Sequence, residues 1–381
     1  MFRAQSALFA LIVLASACGK SGEGAHDRVP AVAAHANSSA HTAAVTTSAS
    51  ERRAELPDSA SSTIALTPSV RLASAESDSA PGAEAGGREV NELGRIPILE
   101  YHLIGDSGSR WMVERDRFRA QLRLLYEKGY RPITVSELVD GKIDLPAGKS
   151  PVVFTFDDAS PSQFSYIERD GRLEIDSNSA VGIWLTFHAQ HPDWGKKATF
   201  CMLPGAAAGR SFFGDKGIEG QKTEWRMKKV RFLAEQGFEL CNHTLWHANL
   251  AHYPDSAVRQ QIARGDLAID SAVAGYRVRT FALPLGVWPK NRALASEGSW
   301  RDPKSGRDIV YKYDAVLMVS GGPARSPFDP LFDPHRLPRV QVYGNELEKM
   351  LDQLDRARTR YVASGAPPRG RVQSGKRPVG D

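Results

Sequence analysis

Three cysteines in 381 residues are too few to build a disulfide framework, and no internal repeat is present, so a stapled mini-domain or a solenoid is excluded. Nowhere do lysines and arginines run together with interleaved aromatics, and the formal net charge of +5 is modest for this length; nucleic acid is not an expected partner. The apolar stretch at the N-terminus runs only from Ala7 to Leu14, short of the roughly 20 residues of a membrane-spanning helix. Residues 19–90 contain no phenylalanine, tyrosine or tryptophan and show no apolar periodicity. A tract of Ala, Ser, Thr, Gly and scattered charge cannot bury enough surface to fold.

What does stand at the N-terminus has the layout of an export signal: Arg3, the short apolar stretch, then small residues up to Cys18. The segment "LASAC" resembles a bacterial lipobox, with Ala15 where leucine is commoner, which implies cleavage before Cys18 and lipidation of its thiol. Gly19 rather than aspartate follows, which favours the outer membrane where the source has one. The expected organisation is a signal peptide over 1–17, a lipidated disordered tether over 18–90, a catalytic domain over 91–363 and a flexible basic tail over 364–381. A coil of that length spans roughly 45 Å root-mean-square, so the domain would search the cell envelope from a membrane anchor.

From Arg95 the texture changes to alternating strand-like and helix-like runs, the pattern of an α/β fold. "RIPILEYHLI", "PVVFTFDD", "KATFCML", "FELCNHT", "RTFALPLG", "DAVLMVS" and "LPRVQV" read as strands. Helices are expected over "DRFRAQLRLLYEKGY", with Phe118, Leu122, Leu125 and Tyr126 on one face and Asp116 as its cap, over "TEWRMKKVRFLAEQG", from Asp255 to Tyr276, and over "NELEKMLDQLDRA". "SYIERDGRLEIDSNSAVGIWLTFHAQHPDW" reads as an insertion. Repeated strand-then-helix units favour one closed sheet over two domains. Cys201 and Cys241 fall inside strands and are expected as buried free thiols.

Two segments carry chemistry. "TFDD" ends a buried strand on Asp157 and Asp158, and burying an unpartnered carboxylate is expensive. Successive strand residues point to opposite faces, so both aspartates reach one site only if the chain leaves the strand there, which Pro161 favours. "HTLWH" places His243 and His247 four apart, on one face if the chain turns helically. Two histidines and one aspartate make a ligand set for a catalytic metal with an open position, zinc above all, with nickel, cobalt or iron also suited.

"TFDDAS" followed by "HTLWH" resembles the first two motifs of the polysaccharide deacetylase, or NodB-homology, family. The resemblance implies a distorted (β/α)7-type barrel and hydrolysis of acetamides on N-acetylated sugars with a divalent metal. It implies Asp157 as general base, Asp158, His243 and His247 as metal ligands, and Thr244 as a brace of the loop. The family's third motif corresponds to "FALPLG": Pro284 and Gly286 match, and the backbone N–H of Leu285 is the implied oxyanion donor. Ala282 stands where the family often has an arginine that orients the base, so either another cation, with Arg339 the candidate, replaces it or activity is weakened. The family's late Leu-x-x-His motif, which would supply the acid, is not evident, since His335 lies in a Pro- and Asp-rich loop. "LEYHLI" instead resembles the branch with a Tyr-His motif on the first strand, and Ile98, Glu100 and His102 share a strand face, which makes His102 the candidate general acid.

His188 and His191 read as surface groups, His252 as a loop histidine near "HTLWH" with no matching role, and Trp246 and Trp288 as either sugar-stacking or rim-packing residues. Two rival functions use the same residues: a non-catalytic glycan-binding lipoprotein that has lost turnover, and a deacylase of a non-polysaccharide amide or ester.

Overall fold

The computed structural model describes residues 88–205, 212–214, 218–368 and 370. The expected signal peptide, Cys18 and the linker as far as residue 87 lie outside the described residues, as does 371–381 of the basic tail. Among the described residues no helix is long and apolar enough to cross a membrane.

Eight strands make the main sheet: β1 (Ile98–Tyr101), β2 (Tyr130–Ile133), β3 (Ser150–Phe156), β4 (Thr199–Met202), β5 (Glu239–Asn242), β6 (Thr280–Ala282), β7 (Ala315–Leu317) and β8 (Val340–Gln341). Every pairing is parallel, in the order β7-β6-β5-β4-β3-β1-β8. Parallel sheets need both faces covered, and β3 shows it: all seven of its β-branched, aromatic and small residues are buried. One edge of β3 pairs with β1, while the other is used first by β2 (Tyr130–Ser150 to Ile133–Val153) and then by β4 (Thr155–Thr199, Phe156–Phe200). The outer strands approach each other through a bridge between Leu317 and Leu337, with Leu337 N–H donating to Val316 O and Met318 N–H to Leu337 O. The seven strands of this order, with β2 off it on the edge of β3, thus curl into a parallel half-barrel.

Strand alternation divides the core in two. Tyr101, Phe154, Phe156, Phe200 and Leu240 point outward to helices α1 (Arg115–Glu127), α3 (Ala180–Gln190), α4 (Arg226–Glu235) and α5 (Asp255–Ala272), where Phe118, Trp184, Leu233 and Ile262 meet them; α2 is the short helix Val135–Asp140 and α6 is Glu346–Arg356. Each such side chain contributes about 1.5–3 kcal/mol by leaving water. Ile98, Val153, Cys201, Cys241, Ala282, Ala315 and Leu317 fill the inner face. Followed towards the strand ends, this inner face changes character with the two-residue period: Ile98 gives way to Glu100 and His102, Val153 to Thr155 and Asp157, Cys241 to His243.

Three expectations are corrected. Cys201 and Cys241 are register partners on β4 and β5 with Cα atoms 4.2 Å apart and are joined as a disulfide, not left as thiols; parallel register puts the two side chains on the same face. The supposed insertion is a hairpin (Tyr166–Arg169 with Arg172–Ile175) followed by α3, the crossover helix from β3 to β4, capped by Ser179 Oγ accepting from Gly182 N–H. Trp184 and Phe187 sit in its buried face. Asp116 lies in the first turn of α1 and does not cap it; Glu114 stands at the N-cap with no side-chain bond.

Candidate active site

The polar upper end of the inner face opens into a cavity of about 640 Å³ lined by Glu100, His102, Asp157, Asp158, His243, His247, Leu285 and Gly286, with Leu103, Arg110, Trp111 and Val319 in its wall. The expected catalytic, metal-ligating and oxyanion residues all line it except Arg339, which lies beneath; Cys18 lies outside the described residues.

Asp157 continues the register of β3, its N–H donating to Tyr101 O at 2.9 Å, so its side chain stays on the inner face. Asp158 (φ 78°) and Ala159 (φ 48°) are left-handed, and this departure from the strand is what turns the second carboxylate into the same cavity. The histidine pair converges without the helical turn that the spacing alone would need. His243 follows β5 directly, and a loop with Thr244 (φ 66°) and His247 (φ 57°) left-handed brings His247 back beside it. Thr244 Oγ1 accepts from His247 N–H at 3.1 Å, the bracing role expected of that hydroxyl.

Asp158 Oδ1 stands 3.6 Å from the Nε2 atoms of both His243 and His247. His243 Nδ1 lies 2.9 Å from the Ala282 carbonyl oxygen, which only accepts, so Nδ1 donates to it and Nε2 is the ring atom turned towards the carboxylate. One carboxylate oxygen set between two imidazole nitrogens is a donor set of the kind that holds a cation. Ligands on bonds of about 2.1 Å at tetrahedral angles are roughly 3.4 Å apart, so the donor set fits a divalent transition metal. Burial disfavours a charged His243, yet the Asp157 and Asp158 carboxylates outweigh it and shift the ring up; the field at this spot attracts positive charge. His247 is pushed down to about 4, by burial and then by His243, and so stays neutral and able to ligate.

Arg339, fully buried, reaches Asp157 from the segment leading into β8. Its Nη1 donates to Asp157 Oδ1 and its Nη2 to Oδ2, each at 2.8 Å, while Nη1 also donates to Thr155 Oγ1 (3.1 Å) and Nε to Met318 O (2.6 Å). A two-pronged guanidinium of this kind fixes a carboxylate in orientation as well as charge. Burial works against ionising Asp157, but Arg339 and His243 hold it well below the usual carboxylate range. Position 282 contributes no cation: Ala282 packs into the inner face and offers its carbonyl to His243.

Glu100, which the sequence marked only as sharing a strand face with His102, is buried and ion-paired with Arg339 Nη2 at 2.8 Å. The clue was there, since a charged residue inside an otherwise apolar buried strand requires a partner. The His102 ring packs edge-on against Trp111, centroids 4.8 Å apart, and burial lowers its pKa despite Asp157 and Asp158. Trp111 therefore forms the aromatic wall, whereas Trp246 and Trp288 are not among the lining residues. Leu285 (φ 58°) turns over the rim, and Gly286 beside it is required because a Cβ there would lie 2.4 Å from Val319 Cγ1. His188, His191, His252 and His335 all lie outside the lining; His191 stacks on Tyr126 and His335 Nε2 bonds Tyr313 O.

Residues 193–298 match the family model described as polysaccharide deacetylase, a stretch that holds His243, His247 and Leu285 but not His102, Asp157, Asp158 or Arg339. No curated protein matches the chain in sequence. Among solved structures the chain is similar to the deacetylase PplD of Streptococcus pyogenes in complex with acetate, at 20% identity over 68% of this chain and 98% of that one, with a TM-score of 0.47. It is also similar to BC0361, a polysaccharide deacetylase from Bacillus cereus (17% identity, 68% and 69% covered, TM-score 0.47), and to IcaB from Ammonifex degensii (18%, 68% and 96%, TM-score 0.43).

Proposed function

We propose that the chain is a metal-dependent hydrolase that removes acetyl groups from N-acetylated sugars of an envelope or extracellular polysaccharide. The observation that carries this reading is the division of labour between neighbours: Asp158 faces two imidazole nitrogens, while Asp157 is clamped as an oriented carboxylate by Arg339. The match of residues 193–298 to the polysaccharide deacetylase model supports it.

Asp158, His243 and His247 would hold the metal, zinc first, with nickel, cobalt or iron also suited. Bound there, the ion would polarise the acetamide carbonyl and acidify the attacking water. Asp157 takes the proton of that water, and Arg339 keeps its carboxylate ionised and aimed. The Leu285 N–H donates to the developing oxyanion. His102, held neutral by burial, relays: it receives the proton from Asp157, within 4.8 Å, and delivers it to the amine nitrogen as the C–N bond breaks. Acetate and the free amine leave. On sequence grounds we place the enzyme at the cell envelope, anchored through a lipid on Cys18.

Acetate release from N-acetylglucosamine oligomers and from acetylated monosaccharides and esters, with and without chelator, tests the function. Release from oligomers that chelator abolishes and zinc restores is expected. Binding of oligomers without release from any substrate points to the glycan-binding rival, and release from the monomers or esters alone to the other deacylase. Fractionating cells that carry wild type or Cys18→Ser tests the anchor, which fails if both partition to membranes equally.

A further inference from the structure

We infer that Asn242, Gly265 and Asp266 are positioning residues for the metal ligands, with α5 holding the 243–247 loop in its ligating shape through the Asn242 amide. This rests on the metal reading of the proposed function.

The loop has no helix or strand of its own, and two of its residues, Thr244 and His247, are held left-handed, a conformation that side chains with a Cβ adopt only at a cost. Something outside the loop must impose it. Asn242 Oδ1 accepts from Thr244 N–H at 2.7 Å, and Thr244 Oγ1 accepts from His247 N–H, so the two bonds run from the end of β5 to the second histidine. Because Oδ1 faces a donor, the amide orientation is fixed, and its Nδ2 points into α5. There it meets Ile262 O at 2.8 Å and Asp266 Oδ1 at 2.7 Å, with Tyr313 Oη 2.8 Å away and itself donating to Asp266. The same helix face takes two more of the loop's amides: Leu245 N–H donates to Gln261 O and Trp246 N–H to Gln261 Oε1.

Gly265 makes the close approach possible. A Cβ at this position would lie 2.3 Å from Asn242 Oδ1, so any side chain would push the amide off the helix. In the middle of an 18-residue helix, alanine would otherwise be the better residue. The glycine is explained by Asn242, and Asn242 by the loop.

Groups that orient a metal's ligands typically change affinity by about 10–100-fold when removed. In the full-length protein, zinc affinity measured by competition with a chromophoric chelator should therefore fall by about tenfold or more in Gly265→Ala and in Asp266→Ala. Asp266→Asn, which keeps an acceptor oxygen for Asn242 and Tyr313, should stay within about threefold of wild type. Melting of the metal-free proteins reports folding separately; if Asp266→Ala does not fold, Tyr313→Phe, which deletes one hydroxyl from the network, replaces it with a smaller loss expected. Wild-type affinity in folded Gly265→Ala and Asp266→Ala, or an equal loss in Asp266→Asn and Asp266→Ala, overturns the inference while the metal reading stands. A wild type that binds no zinc, nickel, cobalt or iron overturns both.

Discussion

Two clusters on the cavity floor offer the same kinds of atoms and differ in one respect. Asp158 with His243 and His247, and Glu100 with His102 and Asp157, each present three metal-ligating atoms within 4.8 Å of one another. In the second cluster a cation is already in place, because the Arg339 guanidinium sits 2.8 Å from both carboxylates. In the first, Asp158 Oδ1 meets two imidazole nitrogens at 3.6 Å each. A ligand set is thus not enough to mark a metal centre. What separates these two is the guanidinium that only one of them contains.

The largest effect should come from Asp157→Asn, which keeps shape and removes the proposed base. Turnover should fall by about 10²–10⁴-fold with bound metal unchanged. Loss of metal together with turnover would merge the two clusters into one. Arg339→Met sharpens the contrast from the other side. It strands two buried carboxylates, which typically costs about 3–5 kcal/mol, measurable by urea unfolding. If the variant folds, the Glu100–His102–Asp157 cluster should now accept a divalent ion, raising the zinc content from about one to about two per chain. Unchanged stoichiometry in a folded variant would show that the guanidinium is not what separates the clusters.

The half of the site that was legible in the sequence is the local half. Asp157 and Asp158 are adjacent, His243 and His247 four apart, and such short spacings survive whatever the fold does with them. Even so, "HTLWH" brings its histidines together through left-handed residues and not a helical turn, in a loop whose amides bond to Asn242 and to Gln261 of α5. Arg339 could only be named as a candidate, and Glu100 was noted merely as sharing a face, since their meeting depends on β1 lying between β3 and β8. The strands themselves were readable from their β-branched and aromatic runs. Register was not, which is why Cys201 and Cys241 looked like separate thiols. The helix α3 was missed because its apolar residues run all round it, so no amphipathic stripe announced it.

The smallest effect follows from how the shared guanidinium is divided. Burial raises the Glu100 carboxyl to about 7, Arg339 only partly offsets it, and Asp157 adds to the rise. Asp157 is shifted the opposite way. A carboxyl raised on folding contributes stability that is complete below its unfolded value of 4.5 and is lost as pH climbs through about 7. A depressed one such as Asp157 contributes above its unfolded 3.8 and fails only on further acidification, so between about pH 5 and pH 8 its contribution is flat. Over that window the metal-free wild type should therefore lose stability relative to Glu100→Gln, on the order of 1 kcal/mol, by urea unfolding at the two pH values. Asp266, also raised to about 7, and Lys229, lowered to about 7, titrate in the same window but are common to both proteins and cancel in the difference. A difference that does not change with pH would mean that Arg339 compensates Glu100 as fully as it does Asp157, and the second cluster would then hold two equal carboxylates around one cation.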